Sequence, residues 1–324
     1  MAMPVTIAIP VRDGGPRLGA VLAAIAAQRT SRAVELLVCD SGSTDGSLAL
    51  ARSAGARTIE IAPQSFSHGG TRNLLMTHAE TEHVVFLTQD AKPADSDWLE
   101  TLLSGFGAAA DVGLVFGPYL PLADASVMVR RELTAWFASF GSGGAPRVDR
   151  LMTGERDLPA IELLGRRAFY TDANGAIARA TWERVPFRDV PYAEDQQLAL
   201  DVLRAGYAKV YVPNAAVEHS HDYAPGELLR RCFDEWRGLR EIYGWVEPLR
   251  LRSVRDKLLV PARADLRLLR AEGASPATLA AGAARSGTHH AIRLAGALAG
   301  SHADRIPPRL RGRLSLERRD SFEG

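Results

Sequence analysis

Short β-branched runs alternate with helix-like stretches through the first third of the chain, and this alternation constrains the fold more than any other feature. Val5–Ile9, Glu35–Cys39, Thr58–Ile61 and Val84–Leu87 have the apolar character of buried strands. Leu18–Gln28, Ser47–Ala54, Thr71–Ala79 and Trp98–Phe106 separate or follow them with helical character. A β-α-β-α order of this kind predicts an α/β fold, a parallel sheet with helices on both faces. Ligands of such sheets collect outside the carboxyl ends of the strands. Asp40 and Asp90 both fall at such ends and are expected to lie close in space.

The rest of the chain is less regular. Gly141–Pro146 reads as a mobile Gly/Ser connector, Tyr192–Ala205 as a helix and Val210–Val212 as a strand. Beyond Pro225 the pattern is helical and rich in arginine, which divides the chain into a domain 1–225 and a helical extension 226–324. The residues from Arg305 onward are expected to be poorly ordered. Hydrophobic residues make up 46% of the 324 and charged residues 24%, enough for a real core. The net charge of +1 gives no argument for a nucleic-acid partner. Its distribution is uneven: residues 1–225 carry 20 Lys/Arg against 26 Asp/Glu, and residues 226–324 carry 19 against 12. A basic extension behind an acidic body suggests attraction to anionic membrane surfaces or phosphorylated acceptors, with a solvated arginine-rich helix surface as the plainer alternative.

Cys39 and Cys232 form no spaced motif, in keeping with a reducing cytoplasm. The N-terminus enters a strand at once and has no basic leader segment. No apolar run approaches the roughly 18–20 residues that span a bilayer, so any membrane contact is expected from the surface, at the inner face.

Several segments carry residues suited to chemistry. Asp40-Ser-Gly-Ser-Thr-Asp-Gly46 follows a strand, where a carboxylate can accept hydrogen bonds from a nucleobase or ribose; Asp45, Ser43 or Thr44 can equally cap the next helix. Phe66-Ser-His-Gly-Gly-Thr-Arg-Asn73 places two glycines before a helix, with Arg72 and Asn73 in its first turn, where anions are favoured; Arg72 can also be an ordinary surface residue. Thr88-Gln-Asp-Ala91 ends a strand with an acid suited to a divalent cation. His219-Ser-His-Asp222 supplies imidazoles that, joined to Asp90, make a mixed site for Mn²⁺ or Mg²⁺, although two structural histidines are the simpler reading. Tyr192-Ala-Glu-Asp195 opens a helix with acids that either stabilise its dipole or serve as general base.

Together, and in this order, these segments resemble the family 2 glycosyltransferases of the GT-A fold, and within them the bacterial rhamnosyltransferases. The resemblance implies a Rossmann-like, mostly parallel sheet flanked by helices, with a C-terminal helical extension. The likeness runs from about Val5 to Tyr223. It includes Ile9-Pro-Val at the first strand end, His68-Gly-Gly-Thr-Arg-Asn73 and Gln89-Asp-Ala-Lys-Pro93. The resemblance implies a metal-dependent inverting transferase of cell-surface polysaccharide synthesis that moves rhamnose from TDP-rhamnose to a glycan or lipid-linked glycan. Asp195 matches the base, with Glu194 supporting it. Pro10, Arg12, Asp40, Ser41, Arg72, Gln89, Asp90 and Asn174 make up the implied donor site. Asp90 and His219, with His221 as second choice, make up the implied Mg²⁺ or Mn²⁺ site. Two departures stand out. The family's Asp-x-Asp is reduced to Thr88-Gln89-Asp90, and Val11-Arg12 replaces the more usual Thr-Tyr-Asn, which leaves the role of Arg12 open.

Other readings keep the fold and change the donor to a UDP-hexose or UDP-N-acetylhexosamine, or make the protein a non-catalytic nucleotide-sugar binder. A metal hydrolase built on the His-Ser-His-Asp run lacks the further ligands of a closed two-metal site. In the extension, Trp236, Tyr243 and Trp245 suit either interfacial contact or packing, and His289 and His290 have no evident partner.

Overall fold

A computed structural model describes residues 2–141, 143–165 and 167–317. The chain divides into two compact units. One comprises Met1–Leu120, Trp136–Val190 and Glu194–His219, the other Pro121–Ala135, Pro191–Ala193 and Ser220–Gly324. The division expected at residue 225 therefore falls six residues earlier in the chain, and two short inner segments belong with the second unit.

In the first unit the strands are β1 (Val5–Val11), β2 (Val34–Asp40), β3 (Arg57–Glu60), β4 (His83–Leu87), β5 (Lys92–Pro93), β6 (Val112–Phe116), β7 (Tyr119–Leu120), β8 (Arg147–Asp149), β9 (Asn174–Ala178), β10 (Ala208–Tyr211) and β11 (Val217–Glu218). The main sheet has the order β3-β2-β1-β4-β9-β6-β10-β8. β1 lies parallel to β2 and to β4, and β2 is parallel to β3. The expected alternation is thus realised, and the sheet is mostly parallel. Ile7, Ile9, Val38, Val85 and Leu87 join Leu18, Val21, Trp98 and Leu102 of the covering helices in one buried core. Parallel β1, β2 and β4 must end on the same edge, which brings Val11, Asp40 and Leu87 there together.

β9 carries no strong strand signal, and the apolar run of β6 is broken by a glycine. Their sequences Val-Gly-Leu-Val-Phe and Asn-Gly-Ala-Ile-Ala are short, and each contains a glycine that a strand normally avoids. The structure explains the second: a Cβ on Gly175 would collide with Tyr170 and the Thr171 carbonyl. β9 runs antiparallel between β4 and β6, pairing Asn174 with Leu87. Its start, preceded by Thr171 and Asp172, therefore sits at the edge where β4 ends.

A second, three-stranded sheet of order β5-β11-β7 pairs Val217 with Pro93 and Glu218 with Lys92. The next residue on one side is His219, and the preceding ones on the other are Ala91 and Asp90. This small sheet is what carries a residue from the far end of the first unit to the end of β4.

The second unit is helical. Pro225–Tyr243 packs on Pro276–Ser301, which approaches closely because Gly296 and Gly300 have no side chain; a Cβ on Gly300 would strike the Phe233 carbonyl. Leu228, Cys232, Trp236 and Ala297 form the core between them. Trp236 and Tyr243 are buried, so packing is the outcome for these aromatics. His289 and His290 also find partners. Asp265, fully buried, accepts hydrogen bonds from Arg131, from Ser286 Oγ at 2.7 Å and from the His290 ring at 2.7 Å. His290 Nδ1 lies 3.6 Å from Glu132, which pairs with Arg293. Burial pushes the His289 imidazole down to about 4, so it is neutral at physiological pH.

The tail departs from expectation. Pro308–Leu314 is a helix, and the N–H groups of Leu316 and Glu317 donate to Asp234 Oδ2 at 2.7 and 3.1 Å. Proline at the first helical turn and a buried carboxylate acceptor give this segment the order its polar composition concealed. Residues 318–324 lie outside the described part, as does Ser142 of the Gly141–Pro146 connector. Among the described residues no helix is long and apolar enough to cross a membrane.

Candidate active site

Three groups of expected residues meet at the carboxyl edge of β1, β2 and β4. The first is Asp40 at the end of β2. Its Oδ1 accepts the N–H groups of Gly42 and Ser43, both at 2.9 Å, which fixes the carboxylate in the turn. Asp40 is only 2% exposed, and its Oδ2 has no hydrogen-bond partner among the described residues. Thr88 Oγ1, just past β4, is likewise buried without a partner. Buried acceptors left unsatisfied are costly, and at a strand edge they mark a place where a ligand can complete the bonding.

The loops around Asp40 are tied to one another. Asp13, at a left-handed φ of 48°, accepts the Thr44 N–H at 2.7 Å, and the Asp13 N–H donates to Ser43 Oγ at 2.9 Å. Asp45 accepts from Gly15 N–H and Ser47 N–H, so it links the two loops; the helix that follows has Gly46, not Asp45, at its N-cap. Ser41 donates both its N–H and its hydroxyl to the Val11 carbonyl. Gln89 makes a two-way amide pair with the backbone of Arg12, at 2.8 and 3.0 Å. Ser41 and Gln89, expected at the donor, are thus committed to bracing the loops. Arg12 keeps an exposed side chain, and Pro10 is half-buried within β1 opposite Cys39.

The second group is Asp90 and His219. Asp90 Oδ1 lies 3.4 Å from His219 Nδ1, and its Oδ2 lies 3.9 Å from the exposed guanidinium of Arg17. The His219 N–H donates to the Leu120 carbonyl at 2.9 Å, and its ring packs edge-on to Tyr119 with centroids 4.9 Å apart. The imidazole is therefore oriented by its own small sheet. One carboxylate and one imidazole in contact form an oxygen–nitrogen donor set that fits Mg²⁺ or Mn²⁺. His221 belongs to the second unit, where its ring stacks on Tyr223.

The third group surrounds Arg72. Helix His68–His78 begins earlier than its sequence suggests: Ser67 caps it by accepting the Gly70 N–H, so both glycines are helical. The reason is a close approach, since a Cβ on Gly69 would collide with the Arg188 carbonyl. Arg72 consequently sits a turn inside the helix, not in its first turn, and is 3% exposed. Its guanidinium pairs with Asp172 and, at 3.0 Å, with Glu194 Oε1. It is neither a surface residue nor aimed freely at an anion. Asn73 is similarly engaged, donating to the Phe187 carbonyl and accepting from Trp182 and the Phe187 N–H.

Glu194 and Asp195 open helix Glu194–Arg204, entered through Ala193 at a left-handed φ of 62°. Burial opposes ionisation of Glu194, but His68 and Arg72 outweigh it and hold its carboxyl below the usual range. Asp172 goes the other way. Burial pushes it well above the carboxylate range, Arg72 offsets only part of this, and the charges of Glu194 and Asp195 add to it. Arg72 and His68 thus face three acids, and the two buried carboxyls shift in opposite directions. Asp195 is half-buried, with Oδ1 accepting the Gln196 N–H at 2.7 Å.

Asn174 corrects an expectation. It is fully buried, its amide donating to the carbonyls of Pro118 and Ala215 and accepting from the Trp98 indole at 2.9 Å. Every polar atom of this side chain is committed, so it braces β9 and does not face a donor. Asp172 and Tyr119 escaped the sequence reading, and His68 stood in a quoted motif without a role. Asp172 had one usable signal, an acid two residues before Asn174, but nothing in the sequence shows that β9 is inserted beside β4.

Residues 6–150 match the family described as "Glycosyl transferase family 2". An O-antigen chain rhamnosyltransferase of Salmonella typhimurium is 33% identical over 238 residues, which cover 72% of this chain and 71% of that protein. The chain belongs to glycosyl transferase family 2. A second O-antigen chain rhamnosyltransferase, from Salmonella anatum, is 32% identical to this family 2 chain over 64% of its length, and the match spans 63% of that relative. Among solved structures, a mannosyltransferase of Pyrobaculum calidifontis in complex with GDP-Man and Mn²⁺ superimposes with a TM-score of 0.58 at 20% identity. The superposition covers 93% of this chain and 87% of that one. That likeness gives the family 2 chain its GT-A fold, with a helical region after the sheet.

Proposed function

We propose that this glycosyltransferase transfers rhamnose from TDP-rhamnose, with inversion, to a glycan or lipid-linked glycan acceptor in polysaccharide synthesis. The observation that carries the reading is the meeting of Asp40, Asp90 and His219 at one strand edge, where Asp40 keeps a buried oxygen without a partner. Asp40 suits the imide of a pyrimidine base, and Arg12 is free to reach toward the donor. The choice of rhamnose is supported by the two Salmonella relatives.

Asp90 and His219 would hold Mg²⁺ or Mn²⁺. The chemistry supplied by such an ion is neutralisation of charge on the departing nucleoside diphosphate. Asp195 acts as general base: it takes the proton of the acceptor hydroxyl as that oxygen attacks the anomeric carbon from the face opposite the leaving group. A single displacement of this kind inverts the centre. Glu194, paired with Arg72 at 3.0 Å, fixes the helix start that presents Asp195. A cytoplasmic setting agrees with the two buried, free cysteines.

The test is product analysis with TDP-rhamnose and a panel of synthetic and lipid-linked acceptors, with the anomeric configuration read by NMR. Thermal shift against UDP-glucose and UDP-N-acetylglucosamine checks the donor. Stabilisation by a UDP-sugar and none by TDP-rhamnose would overturn the choice of rhamnose, and a retained anomer would overturn inversion.

A further inference from the structure

The second unit carries a helical stretch from Leu251 to Ala271, made of Leu251–Val254, a π-turn at Arg255–Leu259 and Val260–Ala271. Its inner face is anchored by fully buried Asp265, and Leu269 packs on Gly282 of helix Pro276–Ser301. The outer face is unusual. Leu251 is 91% exposed, and Leu259 and Val260 are 44% and 50% exposed; Leu249, just before the helix, is 78% exposed. Large aliphatic side chains are ordinarily exposed singly, and a cluster of them needs a partner.

The cations share that face. Leu251, Arg255, Val260, Arg263, Arg267 and Arg270 follow one another at steps of three to five residues, and all are exposed. The step of five crosses the π-turn, where each turn takes an extra residue, so the stripe stays on one side of the helix. Arg252 and Arg255 share Asp256, at 3.4 and 2.8 Å. Among the described residues Arg263, Arg267 and Arg270 have no ion-pair partner.

We propose that this face docks the protein onto an anionic phospholipid surface, with the helix lying in the plane of the headgroups. Aliphatic groups beside unpaired guanidiniums suit that environment, because the leucines enter the acyl boundary while the arginines reach the phosphates above it. A nucleic acid would reward the arginines but not four exposed aliphatics, and the stripe has no aromatic ring to stack on bases. With no spanning helix among the described residues, contact from the surface is the mode the chain allows. The inference stands apart from the sugar-transfer reading, because no residue in it belongs to the strand edge.

The experiment is flotation of the full chain with phosphatidylcholine vesicles, with and without phosphatidylglycerol, at low and high salt. The expected result is binding that requires phosphatidylglycerol and weakens in salt. Each basic residue near an anionic surface is worth about fivefold in partitioning, so R263Q/R267Q/R270Q together lower binding about a hundredfold. L251S/L259S should also release the protein, with the melting temperature and the rate of TDP release from TDP-rhamnose unchanged for both variants. Retained vesicle binding in both variants overturns the proposal. So does binding to a DNA duplex that the arginine variant abolishes and the leucine variant does not touch. A dimer in sedimentation that L251S/L259S dissociates, without vesicle binding by the wild type, assigns the face to self-association and overturns it equally.

Discussion

Each unit buries a carboxylate beside arginine, and the two clusters behave oppositely. In the first unit Arg72 and His68 face Asp172, Glu194 and Asp195, and burial, with the neighbouring acids adding to it, drives Asp172 well above the usual range. In the second, Asp265 and Glu132 are met by Arg131, Arg293 and His290. Burial alone would raise Asp265, but hydrogen bonds from His290, Arg131 and Ser286 bring it down to about 2. The second cluster is closed and balanced, which is what a structural ion network requires. The first has an excess of acid, and it stands beside the proposed base at an edge where other polar atoms also lack partners. Incomplete compensation of buried charge is the mark that separates a site from a scaffold in this molecule.

The largest effect should come from the acidic cluster. Asp195→Asn is expected to lower transfer by about a thousandfold, within the range for loss of a general base, while donor affinity measured by titration calorimetry stays near wild type. A wild-type rate would remove Asp195 from the mechanism. Next, Asp90→Ala or His219→Ala should reduce transfer by about a hundredfold, and a chelator should stop the wild-type enzyme until Mn²⁺ or Mg²⁺ is restored. Indifference to both the chelator and the substitutions would reduce the pair to a structural contact.

The balanced cluster predicts a stability effect and no change in chemistry. The folded value of Asp265, about 2, lies below the ordinary 3.8, so its contribution is complete above pH 3.8 and is lost as pH falls toward 2. Asp265→Asn should therefore cost about 2 kcal/mol at neutral pH in urea unfolding and flatten the loss of stability across that window. The smallest effect is expected at Asp172. Burial raises its carboxyl well above the usual range, so Asp172→Asn, which keeps the shape and is neutral, should change stability by less than about 1 kcal/mol at pH 7. A loss as large as that of Asp265→Asn would show that Asp172 is ionised and that the two clusters do not differ.

Much of the frame could be read before any coordinates. The β-α alternation placed Asp40 and Asp90 at strand ends, and parallel pairing to β1 then puts those ends side by side. The acids of Glu194-Asp195 at a helix start and the histidine run after β11 were also visible as patterns. The roles of individual side chains were less legible. Ser41, Gln89 and Asn174 stand in the segments of the site, yet their hydrogen bonds go to Val11, Arg12, Trp98, Pro118 and Ala215.

What the sequence determined by itself was everything that depends on local period and on strand direction: the sheet, its working edge and the acids that line it. The tertiary structure alone decided which of those groups meet. Arg72 and Asp172 are 100 residues apart and come together because β9 enters the sheet in reverse, a step its glycine and alanines do not signal. Asp265 and His290 pair where helix Val260–Ala271 packs on Pro276–Ser301, with Leu269 against Gly282, and His219 reaches Asp90 through a sheet of two-residue strands. Contacts of that kind depend on backbone proximity across long stretches of chain, and local composition carries no record of them.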